Sequence, residues 1–329
     1  MASLTQNTQR ATVFIAASET DSNLYYATKF MAPDPFIYVE IKGERILVMS
    51  DLEIDRAKNQ SSVDRVLSYS EVEGRAKTQG IAEPGVVEVI HILLREAGIT
   101  QILVPANFPF GHALKFQSLG YQLYPKRDPF YEERVVKTAE EVRSIEAAQR
   151  ATEQAVAAAF DLLRQASIEK DQLWFEGIPL TSERVKKLIN VSLMECDCVA
   201  QHTIVAGGEQ ACDPHNEGSG PLPAHRSIIF DVFPRSATNR YFADMSRTVV
   251  RGTPSPELKR LYQTVLDAQE EAITKIKDGA DGKRIHQGIV RRFEKAGYQT
   301  GLVNGRMQGY FHGTGHGVGL DIHEMPRIS

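Results

Sequence analysis

Two aspartates and three histidines, gathered in two short segments, are the residues whose types and spacing could do chemistry in this sequence. The first segment, residues 227–252, reads SIIFDVFPRSATNRYFADMSRTVVRG and holds Asp231 and Asp244. Its two β-rich runs flank PRSATN, which is turn material, so the pattern predicts a β-hairpin. Both aspartates lie six and a half positions from the gap between Ala237 and Thr238, so a symmetric loop would place them face to face.

Two carboxylates that face each other on neighbouring strands repel, because their Cβ atoms lie about 5 Å apart. Two arrangements could compensate for that repulsion. One is a set of ion pairs to Arg240 or Arg247. The other is a pair of divalent cations about 3.5–4 Å apart, bridged by the carboxylates. The hairpin by itself leaves both arrangements open.

Histidines mark the second segment, residues 309–329, which reads GYFHGTGHGVGLDIHEMPRIS. Its alternating glycines oppose a helix, because glycine loses much backbone entropy there. In an extended strand His312 and His316 share one face, being an even number of residues apart. His323 would lie on the opposite face, so the chain must bend if all three histidines converge. The sequence has no HExxH, GxSxG or Walker motif, which leaves zincin, serine-nucleophile and P-loop chemistry unsupported.

Taken together, the two segments resemble the pita-bread metallopeptidases, a family that includes methionine aminopeptidases, aminopeptidase P, prolidase and the metal-free creatinases. The resemblance rests on D-x(12)-D-M-S-R-T followed by H-G-x-G-H-x-x-G-L-D-x-H-E, and it extends over residues 138–329. Residues 1–130 resemble, more weakly, the creatinase-type amino-terminal domain. The resemblance implies an α/β (α+β) fold, in which a linker at 131–137 joins the small α/β domain to a pita-bread domain that lacks its carboxyl-terminal part.

The chemistry that this resemblance implies is metal-dependent hydrolysis of the bond between an N-terminal residue and proline in short peptides. Three residues would bind two divalent ions, with Mn²⁺, Co²⁺, Zn²⁺ and Fe²⁺ as the candidates: Asp231, Asp244 and His316. Three histidines would contact the substrate or stabilise the tetrahedral intermediate: His215, His312 and His323. The resemblance also implies a homodimer.

Members of this family have two further metal ligands, both glutamates, which lie beyond the H-E-x-P segment. The present sequence ends at Ser329, so neither position occurs in it. We therefore expect either a chain that is shortened relative to the functional protein or a degenerate member, in both cases with little activity. Two alternatives stay open: a binding or scaffold protein that kept the fold, and a creatinase-like amidinohydrolase that uses no metal.

The elements that must position these residues can be predicted from hydrophobic periodicity and from capping patterns. Residues 36–49 predict a hairpin that turns near Lys42 and Gly43. Residues 86–97 predict a helix, and residues 102–105 predict a strand. Strands that alternate with helices in this way are typical of an α/β domain.

Three helices are expected in the second domain. A capping box at Thr138 and Glu141 starts the first helix. Ser255 as N-cap, with Pro256 in the first turn, starts the second, and Gly297 ends the third. The second helix is expected to bury a stripe made of Leu258, Leu261, Tyr262, Val265 and Ala272.

Composition narrows the possible function classes. The chain of 329 residues is 42% hydrophobic and 24% charged, which is typical of a soluble globular protein. Its net charge of −4 argues against a dedicated nucleic-acid binder. No apolar run approaches the ~20 residues that cross a membrane, and the amino terminus has no signal-peptide pattern. Three cysteines are expected to be reduced thiols, as in a cytoplasmic protein: Cys196, Cys198 and Cys212. Cys196 and Cys198 are expected to be small buried apolar side chains rather than zinc ligands.

Overall fold

Residues 10–329 are described by the computed structural model of this chain, and they divide into two units, one ending at Glu132 and the other comprising Glu133–Ser329. The prediction that the amino terminus carries no signal peptide falls largely on residues 1–9, which lie outside the described residues. Within residues 10–329, no helix has the length and apolarity needed to cross a bilayer.

The described part of the first unit is built on six strands and five helices. The strands are β1 Arg10–Ala16, β2 Phe36–Ile41, β3 Glu44–Met49, β4 Arg65–Ser68, β5 Gln101–Pro105 and β6 Gln122–Lys126. The helices are α1 Ser22–Thr28, α2 Ile54–Gln60, α3 Tyr69–Thr78, α4 Val86–Glu96 and α5 Phe110–Ser118. The strands form one mixed sheet in the order β4-β3-β2-β1-β5-β6, which confirms the predicted α/β class.

The hairpin formed by β2 and β3 confirms the prediction for residues 36–49. Lys42 (φ 53°) and Gly43 (φ 86°) both adopt the left-handed conformation, as a two-residue turn between twisted strands requires. Successive residues of β1 point to opposite faces of the sheet, so Val13 enters the core formed with α4 and Phe14 the core formed with α1. Helices therefore cover both faces of the sheet.

The described second unit combines four helices with many short strands. The helices are α6 Ala139–Gln165, α7 Ser182–Met194, α8 Pro256–Lys275 and α9 Gly282–Lys295. The strands before α8 are β7 Ser167–Glu169, β8 Gln172–Phe175, β9 Ile178–Pro179, β10 Cys198–Val199, β11 Ile204–Gly207, β12 Ile228–Val232, β13 Arg235–Ser236 and β14 Met245–Val249. The strands after α9 are β15 Gly301–Val303, β16 Arg306–Gln308, β17 Gly315–Gly317 and β18 Glu324–Ile328.

The predicted helix boundaries in this unit are confirmed. At the start of α6, Glu141 N donates to Thr138 Oγ1 at 3.3 Å, and Thr138 N donates to Glu141 Oε2 at 2.8 Å. Each side chain thus satisfies an amide that the first turn leaves without a helical partner. Ser255 caps α8, and Gly297 follows α9 with a left-handed φ of 93°.

A three-stranded sheet with the order β11-β12-β14 carries the two aspartates. Ile228, Phe230 and Val232 are buried at alternate positions of β12, in the core that α6 and α7 also line. Phe160 of α6 packs edge-on against Phe230, with ring centroids 5.2 Å apart. Because side chains alternate along a strand, the same burial pattern turns Asp231 to the opposite face.

The stripe predicted to be buried on α8 is mostly wrong. Ala272 is buried, but Leu261, Tyr262 and Val265 are 39%, 49% and 47% exposed. The buried residues of α8 are Ala268 and Ala272, which share a core cluster with α9. The spacing of apolar residues identifies one face of a helix. How much of that face is buried depends on the neighbouring helix that packs against it.

The predicted burial is confirmed for Cys198 and wrong for Cys196. Cys198 is buried, whereas Cys196 and Cys212 are exposed, and all three are free thiols. Cys196 follows the end of α7 and Cys212 ends a short 3₁₀ turn, and such connections run over the surface.

Candidate active site

The hairpin of β12 and β14 carries both aspartates, as predicted, but their predicted face-to-face pairing is wrong. Asp231 pairs with Ser246 instead. The turn occupies residues 237–240, and its last residue, Arg240, has a φ of 68°. The centre of this turn lies one position further along the chain than the midpoint between Asp231 and Asp244. That shift moves the register by two residues. Since the side-chain period is also two, Asp244 remains on the same face as Asp231.

Neither carboxylate has a lysine or arginine partner within 4.0 Å in the described part of the chain. Asp231 Oδ1 accepts a hydrogen bond from Ser246 Oγ at 2.6 Å. Arg247 donates to the backbone oxygen of Ser246 at 2.8 Å, and Arg240 is buried. The ion-pair arrangement that the sequence left open is therefore not formed. Burial raises the pKa of Asp244, and the charge of Asp231 raises it further.

The histidine segment folds back on itself in the way that convergence of its side chains requires. Strands β17 and β18 pair antiparallel, with an irregularity between His316 and Gly317. The connecting loop brings His323 back to His316, with ring centroids 4.4 Å apart and the ring planes at 83°. Glycine is needed here, because a Cβ on Gly317 would lie 2.4 Å from the backbone oxygen of Met325.

Direct contacts join the two hairpins. The backbone N–H of Phe242 donates to Gly319 O at 2.8 Å. Beside this contact, His316 Nε2 lies 3.4 Å from Asp244 Oδ2. One backbone bond and one side-chain contact therefore place the imidazole against the carboxylate.

All six predicted site residues line one cavity of about 710 Å³. His215 reaches it from the connection between β11 and β12, where its backbone N–H donates to Asp213 Oδ1 at 3.1 Å. His312 precedes β17, and its ring lies 4.6 Å from that of Tyr310. The full set is His215, Asp231, Asp244, His312, His316 and His323.

The protonation of His316 can be argued from its hydrogen bond. Its Nδ1 lies 3.0 Å from Gly317 O, and a carbonyl oxygen only accepts, so Nδ1 carries the proton. In the neutral ring, Nε2 then presents a lone pair to the Asp244 carboxylate. Two acceptors at that distance repel unless a proton or a metal cation lies between them.

Burial lowers the pKa of His323, and the neighbouring charges of His316 and Arg327 lower it further. Asp231 opposes this shift, since its negative charge raises the pKa of the same ring. A lowered pKa favours the neutral ring near pH 7, and a neutral imidazole has one N–H donor and one acceptor. His323 can therefore donate a hydrogen bond into the cavity without a net charge.

The donor types in this cavity suit a divalent metal, because carboxylates and imidazole are the ligands that such ions take. The raised pKa of Asp244 and the opposed Nε2 lone pair of His316 both indicate an environment in which a cation would be stabilising. Within residues 10–329, however, no group of three or more His, Cys, Asp or Glu side chains is arranged so that it could hold a metal ion. The hydrogen bond from Ser246 engages only Oδ1 of Asp231, and a carboxylate has a second oxygen that can bind a metal.

Sequence reasoning missed several residues of the cavity. Ser246, which bonds to Asp231, lies within the D-M-S-R-T motif, and its position two residues after Asp244 was the available signal. Arg327 also lines the cavity and follows the H-E-x-P segment directly. His202 and Glu217 contribute a pair whose Nδ1 and Oε1 atoms are 2.7 Å apart, and nothing in their spacing indicated it.

A comparison with protein families gives one match over more than half of the chain. The model of metallopeptidase family M24 matches residues 143–329. Similar proteins include the Xaa-Pro dipeptidase of Pyrococcus furiosus, 29% identical over 60% of this chain and 51% of that protein. Another is the Xaa-Pro dipeptidase of Pyrococcus horikoshii, 25% identical over 93% of this chain and 77% of that protein. The match to the first of these relatives thus spans about half of that protein's length.

Solved structures share the fold. The prolidase of Pyrococcus furiosus matches with a TM-score of 0.75 at 22% identity, over 97% of this chain and 82% of that one. The X-Pro aminopeptidase of Thermotoga maritima matches with a TM-score of 0.76 at 21% identity, over the same shares of the two chains. These matches confirm the fold that the two sequence segments predicted.

Proposed function

The chain belongs to metallopeptidase family M24, and on that premise we propose that it hydrolyses the bond between an N-terminal residue and proline. The observation that carries the proposal is the cavity in which Asp231, Asp244 and His316 lie together with three further histidines. Two relatives named Xaa-Pro dipeptidase support a substrate that contains proline. Neither a scaffold protein nor a creatinase-like amidinohydrolase is favoured by these relatives.

Asp231, Asp244 and His316 would hold divalent cations, drawn from Mn²⁺, Co²⁺, Zn²⁺ or Fe²⁺. When bound, such a cation supplies Lewis acidity and an activated water molecule. Two ions would carry four positive charges, of which these two carboxylates compensate two, so a dinuclear site needs donors beyond these three residues. The resemblance to the family implies two glutamates in that role.

The other side chains of the cavity would act on the peptide. His323 is the candidate donor to the oxygen of the scissile carbonyl, since its neutral ring has one N–H available. His312 donates from Nδ1 to Gly313 O at 2.8 Å, which leaves Nε2 as an acceptor for a substrate N–H. His215 would contact the substrate from the loop between β11 and β12.

Arg327 is relevant to the length of the peptide that the site would take as its substrate. Arg327 lines the same cavity, and its positive charge lowers the pKa of His323. In an Xaa-Pro dipeptide the free carboxylate belongs to the proline itself, one residue from the scissile bond. Since a guanidinium matches a carboxylate with two parallel hydrogen bonds, Arg327 favours a dipeptide over a longer peptide. Cytoplasmic location and a homodimer remain predictions.

The experiment that tests this proposal measures proline release from Ala-Pro. The protein is expressed from the native coding sequence, including any codons that follow Ser329, and is supplied in turn with each of the four metal ions. We expect hydrolysis of Ala-Pro and none of Ala-Leu. Asp244→Asn should abolish the activity, whereas Asp278→Asn, at an exposed carboxylate outside the cavity, should leave it unchanged. Failure of the unaltered protein to cleave Ala-Pro with any of these metals would overturn the proposal.

A further inference from the structure

Two cations from the segment before α6 lie buried against the loop that carries His323. Arg134 Nη2 and Lys137 Nζ both donate to the Glu324 carboxylate, the second at 2.7 Å. The side chains of Arg134, Lys137 and Glu324 are only 7%, 13% and 7% exposed. These three residues, called the brace from here on, have no part in the metal-binding or substrate-binding roles proposed above.

The loop between β17 and β18 wraps around the carboxylate of the brace. The backbone N–H of Asp321 donates to Glu324 Oε1 at 3.1 Å, and Arg134 also bonds to Asp321 Oδ2 at 2.8 Å. The backbone passes so close that a Cβ on Gly319 would lie 2.6 Å from Glu324 Oε2. The path of the loop therefore depends on where the Glu324 carboxylate is held.

Both ends of this loop reach the candidate active site. At one end, Gly319 O accepts the hydrogen bond from Phe242 in the connection between β12 and β14 that carries Asp244. At the other end, His323 precedes Glu324 directly and packs its ring against His316. A change in the position of the carboxylate would thus be transmitted to His323 and to the contact between the hairpins.

We propose that Arg134 and Lys137, acting through Glu324, are positioning residues for His323; this role in catalysis rests on the proposed function. A buried ion pair contributes little net stability compared with apolar side chains of the same volume, so stability alone does not account for the brace. Its directional bonds, by contrast, fix the orientation of the loop. Correct orientation matters because small misplacements of a catalytic group lower the rate steeply.

The test compares Glu324→Gln and Lys137→Met with Lys137→Arg, which keeps the charge. The first measurement is the ¹³C–¹H ring spectrum of the nine histidines in the metal-free protein. The cross-peaks of His323 should move in Glu324→Gln and Lys137→Met and stay in place in Lys137→Arg. Those of His225, whose Nδ1 accepts from Thr253 N at 2.8 Å outside the cavity, should stay in place in every variant.

The second measurement is Ala-Pro hydrolysis. We expect kcat to fall by at least about tenfold in Glu324→Gln and Lys137→Met while KM stays within about twofold, because the brace does not touch the substrate. Ile189→Ala, which opens a cavity in the core beside α7, controls for a general loss of stability and should keep its kcat.

Each outcome decides the proposal. Unmoved His323 signals in folded Glu324→Gln or Lys137→Met would overturn it, and so would an unchanged kcat in either variant. An equal loss of kcat in Ile189→Ala would overturn it as well. If the unaltered protein cleaves no Xaa-Pro peptide, the proposed function fails, and the histidine spectra alone then decide whether the brace positions His323.

Discussion

His316 Nε2 lies 3.4 Å from Asp244 Oδ2, while the same ring donates from Nδ1 to Gly317 O. This contact joins the two hairpins that the sequence marked as chemical. Two acceptors at this distance repel unless a proton or a metal cation lies between the nitrogen and the carboxylate. A proton would make the contact a hydrogen bond, whereas a metal cation would make both side chains its ligands.

The repulsion between the aspartates predicts that Asp244→Asn stabilises the metal-free protein. Burial and the charge of Asp231 both raise the pKa of Asp244, so its charged form is disfavoured in the folded state. Removing the charge should raise the free energy of unfolding at pH 7 by up to about 1 kcal/mol, because Asp231 and Asp244 lie on the same face of the hairpin, where like charges destabilise. Urea denaturation after chelation measures this, and a loss of stability would contradict the assigned repulsion.

Substitution of Arg327 should raise KM for a dipeptide but not for a substrate that lacks the proline carboxylate. Arg327→Met should raise KM for Ala-Pro by about 10- to 100-fold, because a charge-assisted pair with the proline carboxylate is lost. Steady-state kinetics with Ala-Pro-amide, which lacks that carboxylate, provide the matched control and should show little change. Equal effects on the two substrates would remove Arg327 from carboxylate binding.

Substitution of Gly319, in the loop between β17 and β18, should destabilise the protein, whereas substitution of a glycine inside a helix should not. Gly319→Ala places a Cβ 2.6 Å from the Glu324 carboxylate, so we expect a loss of about 1–3 kcal/mol of stability from overpacking. Gly288→Ala, inside α9 with only Lys275 Nζ at 3.7 Å, is the control. It should gain about 0.5–1 kcal/mol from helix propensity. Thermal unfolding of both variants checks this pair, and a harmless Gly319→Ala would show that the loop adapts easily.

Glu88 makes the first unit sensitive to acid. Burial would raise its pKa, but bonds from Lys115 and from the Gly85 amide outweigh that effect and lower the pKa below its usual value of 4.5. The stability that these bonds contribute is therefore present above that value and is lost as pH falls through the lowered pKa. Glu88→Gln should weaken this loss in denaturation curves recorded between about pH 3 and pH 7. An identical pH dependence in both proteins would rule out the assignment.

Local patterns were sufficient to predict much of the fold. The left-handed turn at Lys42 and Gly43, the capping box at Thr138 and the start of α8 each depend on a few neighbouring residues. The need for a bend between His316 and His323 also followed from side-chain alternation alone. Information of this kind is local, and the structure agrees with it.

Features that depend on distant residues were not predictable in the same way. The pairing of Asp231 with Ser246 is set by the backbone conformation of the turn, which composition did not specify. The exposure of Leu261 on α8 depends on how much of that helix α9 covers. The pairing of Lys137 with Glu324 joins residues 187 positions apart, and no spacing rule connects them.

The most direct test of the metal centre is calorimetric titration of the metal-free protein with Mn²⁺, Co²⁺ and Zn²⁺, using protein from the native coding sequence. We predict saturable binding that is weakened by at least about 10- to 100-fold when Asp231 and Asp244 are both changed to Asn, and by a similar factor in His316→Gln. The Asp278→Asn control should bind as the unaltered protein does. Equal affinity in all four proteins, or no binding by the unaltered one, would contradict a metal centre at these residues.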